Sequence, residues 1–322
     1  MNDDYLWDRT GEPDKDLAHL EKVLGILRWS GSEFRPSLSK DVPARPQKMW
    51  WIAAAAALVV AIIGTAMLVH QMHTAHPLTS WKLSFSGEKP KPMHAGQLVE
   101  TTATTSGTIQ SEFVGRVDIQ PDSRLRLLAA TSDEQRLALD HGTIHAFIWA
   151  PPAQFVVDTP AAQAVDLGCQ YTLHVERTGT GLLTVQMGWV AFQWHGTESF
   201  IPAGAACRTS PGHGPDTPYF LDASPEFKNA IAEFDLRRSK QALSTALAAA
   251  RRRDGLTLWH LLQRVPADER GDVFDRFTKL VSLPPDVTRD AILRGDKRSL
   301  DEAWNALDLG STSWWREWKR QW

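Results

Sequence analysis

His70, His73 and His76 recur at three-residue spacing, and His141 and His145 stand four apart. On a helix the first set would bring adjacent imidazoles together, as a metal site requires. Pro77 follows at once and halts such a helix, so these read as polar residues beside an apolar run. On a strand His141 and His145 share a face only where pairing is regular, and no Asp or Glu completes an evident ligand triad. Cys169 and Cys207 form neither a C-x-x-C nor a Cys/His zinc pattern; a disulfide and a pair of buried free thiols are both open. Ser, His and Asp occur without the nucleophile elbow of a hydrolase. These patterns predict a protein that is not an enzyme, with no catalytic residue, metal or cofactor.

The remaining chemistry is recognition. From Asp14 the apolar residues Leu17, Leu20, Val23, Leu24 and Leu27 fall at helical spacing on one face, with Trp7 just upstream. A helix this short cannot bury its own stripe, so it must dock, and Trp7, Leu17, Leu20, Leu24 and Leu27 are its partner-binding residues. At the other end, Trp315, Trp318 and Trp322 lie at i, i+3 and i+7, beside Arg316, Lys319 and Arg320. They either cap a helical core or form a docking face for a partner or a membrane leaflet.

Between these two faces lies Met49–Val69, free of charge and led by Trp50 and Trp51. As a helix its length is about 31 Å, the thickness of a bilayer's hydrocarbon core. Arg35, Lys40, Arg45 and Lys48 precede it, and the first basic residue after it is Lys82, which predicts an N-terminus in the cytoplasm and a C-terminus in the periplasm. Ala57, Ala61 and Thr65, small residues four apart, suit close pairing of two such spans in a homo-oligomer. The chain of 322 residues therefore divides into a cytoplasmic helical segment 1–30, a tether 31–48, the span 49–69 and a juxtamembrane connector 70–94. A β domain 95–210, a linker 211–223 and a helical domain 224–322 follow. The formal net charge of -3 shows no nucleic-acid footprint.

From Gly96 the apolar period changes to two. Val114, Val117, Ile119, Leu125 and Leu127 alternate with polar residues, and further strands are expected at 135–139, 143–149, 154–158, 164–167, 171–176, 182–187, 189–195 and 198–201. Regular Gly, Pro and Asp punctuation predicts an all-β sandwich or barrel. Trp149, Trp189 and Trp194 would be core rings or, as a weaker reading, a carbohydrate platform.

Six short strings recur in order: Pro121-Asp122-Ser123-Arg124-Leu125, Leu139-Asp140-His141-Gly142-Thr143-Ile144, Phe155-Val156-Val157-Asp158-Thr159-Pro160, Val165-Asp166-Leu167-Gly168-Cys169-Gln170-Tyr171, Val185-Gln186-Met187-Gly188-Trp189-Val190 and Pro202-Ala203-Gly204. Over residues 95–210 this resembles the FecR domain, the periplasmic module of transmembrane sigma-factor regulators. The resemblance implies structural roles for Gly142, Phe155, Thr159, Pro160, Gly168, Gly188 and Gly204, with Phe155, Val157 and Val165 facing the sheet core. Cys169 stands where the family carries Thr or Ser.

Ser224 followed by Pro225 opens a helical region, expected as helices at 225–236, 238–252, 255–264, 266–282, 285–294, 297–308 and 312–321. A small α/β module occupies this position in the best-known family members. The fold class expected is a multi-segment α+β membrane protein: one transmembrane helix, an all-β periplasmic domain and an all-α helical array. The resemblance implies a single-pass inner-membrane signalling regulator, an anti-sigma factor that joins an unidentified periplasmic partner to a cytoplasmic sigma factor by protein–protein binding. The alternative is a membrane-tethered periplasmic scaffold with no signalling role.

Overall fold

The computed structural model describes residues 81–310. The expected segments 1–30, 31–48 and 49–69 lie outside the described residues, as do His70, His73, His76, Trp315, Trp318 and Trp322. No helix among the described residues is long and apolar enough to cross a membrane.

The strands in chain order are β1 (Trp81–Phe85), β2 (Lys91–Met93), β3 (Leu98–Glu100), β4 (Gly107–Ser111), β5 (Gly115–Ile119), β6 (Arg124–Ala130), β7 (Gln135–Ile148) and β8 (Phe155–Asp158). They continue as β9 (Gln163–Asp166), β10 (Gln170–Val175), β11 (Gly181–Met187), β12 (Trp189–Trp194), β13 (Thr197–Pro202), β14 (Ala205–Ser210), β15 (Gly214–Pro215) and β16 (Tyr219–Phe220). One sheet runs β2-β1-β4-β5-β7-β10-β11-β14, with β15 and β16 on the far side of β14. The other runs β3-β6-β7-β8-β9-β12-β13. Every pair is antiparallel except β7 with β8.

The alternating pattern is what closes the core. Ile109, Val117, Ile119, Leu125, Leu127, Leu137, Leu139 and Ile144 are all at 0 % exposure. Burying each contributes about 2 kcal/mol. Trp81 on the first sheet meets Phe155 on the second, their rings 6.1 Å apart.

The two sheets share β7, and the chain crosses between them at paired corners. β7 passes from one sheet to the other at Gly142, beside the β5–β6 corner at Ser123. The β9–β10 corner at Gly168 and the β11–β12 corner at Gly188 lie side by side. Gly142 and Gly188 have φ of +103° and +73°, and a Cβ would overlap Ser123 in the first case and the Gly168 carbonyl oxygen in the second. Such crossings need a residue that is both left-handed and without a side chain.

Several expected boundaries change. The strands expected at 135–139 and 143–149 are one bent strand, because Gly142 lets the ladder continue through the corner. The connector 70–94 contributes β1 and β2: Trp81 and Leu83 point inward while Lys82 points out, and β2 tolerates Pro92 because it is an edge strand. The linker 211–223 contributes β15 and β16. Val165 does not share the inner face of Phe155 and Val157. Its register partner is Val156, so it lies on the opposite face, and Ala164 points inward instead.

The helices are α1 (Pro225–Arg237), α2 (Lys240–Ala249), α3 (Gly255–Arg264), α4 (Arg270–Leu280), α5 (Arg289–Leu293) and α6 (Lys297–Asn305). Ser224, Ser239, Thr288 and Asp296 cap α1, α2, α5 and α6 by accepting backbone N–H groups. The helices expected at 238–252, 266–282, 285–294 and 297–308 are shorter than the sequence pattern suggests, since turns at their ends carry the same spacing.

α3 covers the free edge of β13, a device that blocks unwanted strand pairing. His260 Nε2 accepts the Phe200 N–H at 3.1 Å, while His260 Nδ1 bonds the Leu256 carbonyl at 2.9 Å. Burial, then the Arg264 charge, pulls the His260 pKa down to about 3, so the ring is neutral. One turn on, Arg264 donates to the Glu198 carbonyl at 3.2 Å and to Ser199 Oγ at 2.5 Å. It also reaches the Pro215 carbonyl and Thr217 Oγ1, both at 3.3 Å. Asp235 holds the same loop by accepting Thr217 N and Oγ1, each at 2.8 Å.

Candidate binding groove

The outer face of the second sheet carries a groove of about 950 Å³. Register places Arg136, Val156, Val165, Ala191 and Phe200 in one row across β7, β8, β9, β12 and β13. Ala138, Asp158, Gln163, Gln193 and Glu198 make the next row. The floor is thus an apolar stripe beside a polar one. Walls come from the Thr159–Ala162 turn and the His195-Gly196 turn.

Strand alternation sets these directions: Phe155 and Val157 go to the core, so Val156 and Asp158 face out. Arg136 grips Asp158 with two bonds, Nε–Oδ2 at 2.7 Å and Nη2–Oδ1 at 3.0 Å, and reaches Glu134 at 3.2 Å. The Asp158 hydrogen bond raises the guanidinium pKa above its ordinary value, against a smaller loss from burial. Gln193 Nε2 donates to Glu198 at 2.9 Å. Three carboxylates, Glu134, Asp158 and Glu198, thus ring the groove with one arginine. An apolar floor with an acidic rim suits a ligand that is aromatic or aliphatic and positively charged.

Thr159 shapes one wall. Its Oγ1 donates to the Ala162 carbonyl at 2.8 Å and accepts the Ala162 N–H at 3.0 Å, with Pro160 in the turn between. Phe155 lies beneath the floor, fully buried. Gly204 sits in the β13–β14 turn near Arg253. The motif residues therefore support the groove from behind and from its ends. Of the six strings, Val156, Asp158, Thr159, Pro160, Val165 and Leu167 line it.

Other sequence candidates are scattered. His145 bonds Thr172 Oγ1 at 2.8 Å and His174 bonds Thr143 Oγ1 at 2.7 Å, both on the first sheet. Among the described residues no three His, Cys, Asp or Glu side chains are grouped to hold a metal. Trp149 sits beside Phe147 on β7, with rings 5.6 Å apart, while Trp189 and Trp194 are five positions apart on β12 and so face opposite ways. The three do not make one platform.

Cys169 and Cys207 are buried free thiols. The Cys169 thiol donates to the buried Asp166 carboxylate, which also accepts the Gly168 N–H at 2.6 Å. Burial pushes the Asp166 pKa up to about 7, against the pull of these bonds. A carboxyl raised in the folded state keeps its proton where the unfolded chain has lost it. Its contribution to stability is complete below pH about 4 and is lost as the pH rises to about 7. Asp166→Asn removes this loss. The stability difference between variant and parent should move in the variant's favour across that window and then level off, as read from denaturant midpoints. His260 acts with the opposite sign and is common to both chains, so it cancels in the difference.

Sequence reasoning missed Arg136, Val156, Asp158, Ala191, Gln193, Glu198 and Phe200 as a group. Period-two alternation around Phe155 marks Val156 and Asp158 as outward, but not that their face stays open.

No family model matches the chain, and no curated protein matches it. Two crystal structures of a candidate anti-sigma factor from Parabacteroides distasonis ATCC 8503, at 1.65 and 2.50 Å resolution, are similar to part of it. Each is 14% identical with a TM-score of 0.35 and matches 42% of this chain. The match spans 65% and 64% of the length of those two chains.

Proposed function

We propose that the chain is a non-enzymatic, single-pass inner-membrane signalling regulator of the FecR type. A periplasmic binding event on the β module would change the position or pairing of the span 49–69. That change would free or engage the 14–29 helix and so control a cytoplasmic sigma factor. The coupling is binding free energy that biases two states. The observation that carries this reading is the groove, a recognition surface of apolar floor and acidic rim on the module that the charge pattern assigns to the periplasm. The corner glycines support it, since the strings that resemble the FecR domain include Gly142, Gly168 and Gly188 at the crossings between the sheets.

The test is affinity capture of the tagged full chain from its own cells, with bound proteins identified by mass spectrometry. A sigma factor should be recovered with the parent and lost with Leu20→Asp/Leu24→Asp. Recovery of no transcription factor overturns the proposal. The packing of α3 on β13 favours a second reading, a tethered periplasmic scaffold whose helices and sheet act as one surface. Deleting residues 2–30 separates the two: the regulator loses its output and the scaffold keeps its phenotype.

A further inference from the structure

The groove's helix-side wall ends at Phe200, whose ring lies 5.9 Å from that of Trp304. Trp304 is fully buried, packs on Trp189 at 5.8 Å and on Trp259 at 4.7 Å, and donates from Nε1 to the Gly310 carbonyl at 2.9 Å. Gly310, the last described residue, therefore lies against Trp304 beside this wall.

We propose that residues 311–322, STSWWREWKRQW, are an intramolecular ligand of the groove. Three observations select this occupant. The first is reach. From Phe200 on β13 to Val156 on β8 is three strand spacings, about 14 Å. Twelve residues cover about 18 Å as a helix and at most about 40 Å extended. The second is charge. The segment carries Arg316, Lys319 and Arg320 against Glu317, while the groove carries Glu134, Asp158 and Glu198 against Arg136, which Asp158 and Glu134 already engage. The third is shape. Val156, half-buried, and the buried Val165, Ala191 and Phe200 line the groove's apolar floor, and the segment supplies apolar rings to meet it in Trp314, Trp315, Trp318 and Trp322. Bound this way, the segment occupies the surface a periplasmic partner would use. Any second ligand then binds with an affinity reduced by the fraction of chains whose groove is open.

The test uses the full chain in lipid nanodiscs with a benzophenone amino acid in place of Gln193, on the groove's polar row. Irradiation should yield an intrachain cross-link to a peptide within 311–322. Val156→Asp or Glu198→Lys should lower its yield about tenfold, as expected for a loss near 1.4 kcal/mol. In parallel, trypsin should cut after Arg316, Lys319 and Arg320 about tenfold faster in these variants than in the parent. If Val156→Asp loses cooperative unfolding, the surface variant Glu198→Lys carries the comparison alone. Cross-links between two copies, cross-links to lipid, or cleavage rates equal in parent and Glu198→Lys overturn the proposal. Neither readout involves a sigma factor, so failure here is distinct from failure of the regulator reading.

Discussion

Replacing Arg264 with methionine should lower the unfolding free energy by about 3 kcal/mol, as removing one partner of an enclosed charge network does. Methionine keeps an unbranched apolar stem, shorter than that of arginine, and removes the charge and all five donors. Four acceptors then lose their donor: the carbonyls of Glu198 and Pro215, Ser199 Oγ and Thr217 Oγ1. Asp235 and Asp216 lose a cation whose charge favours their ionised forms. Burial, then the Asp235 charge, already pushes the Asp216 pKa up to about 6. The loss should be local as well as global. The Phe200 amide, held by His260 at the same edge, should exchange with deuterium faster in the variant, while amides of β5 and β7 keep pace only with global unfolding. An unfolding free energy within about 1 kcal/mol of the parent would mean that apolar packing and the His260–Phe200 hydrogen bond hold α3 to β13 without Arg264.

Gly188→Ala should cost about 3 kcal/mol, from a left-handed backbone penalty of about 1–2 together with overpacking of about 1–3. The overpacking arises because the new methyl would overlap the Gly168 carbonyl oxygen at the neighbouring corner. Gly168→Ala is the internal control. Its φ is +89°, yet nothing lies within 4 Å of where its Cβ would be, so only the backbone penalty of about 1–2 kcal/mol applies. Gly142→Ala should resemble Gly188→Ala, since its methyl meets the backbone and hydroxyl of Ser123. Equal losses at Gly168 and Gly188, measured by denaturant midpoints, would show that the corners separate at little cost.

Much of this fold is legible residue by residue. The alternation through Val117, Ile119, Leu125 and Leu127 marks buried faces, and all four are buried. Ser224-Pro225 marks the start of α1, and its cap bond to the Phe227 N–H is present at 3.1 Å. The expected helix at 255–264 matches α3 residue for residue. The failures share a cause. WKLSF and the stretch around Gly214-Pro215 are strands only because β4 and β14 stand beside them. The string around Val165 does not show which neighbour sets its register, and only its pairing with Val156 puts it on the outer face.

What the sequence determines by itself is periodicity, capping and the positions that demand glycine, because these follow from the backbone and from side chains within a few residues. It also determines the charge asymmetry around Met49–Val69. What only the tertiary structure decides is which side of a sheet stays open. β8, β9, β12 and β13 each present two faces, and alternation labels both without ranking them. The choice is made by α3 sealing the β13 edge and by Trp304 covering Trp189 and Phe200, contacts spanning up to 115 residues between Trp189 and Trp304. The face left beyond those helices, from Arg136 to Ala191, is the groove. Its acidic rim exists because the turn before β7, β8 and β13 bring Glu134, Asp158 and Glu198 to one surface.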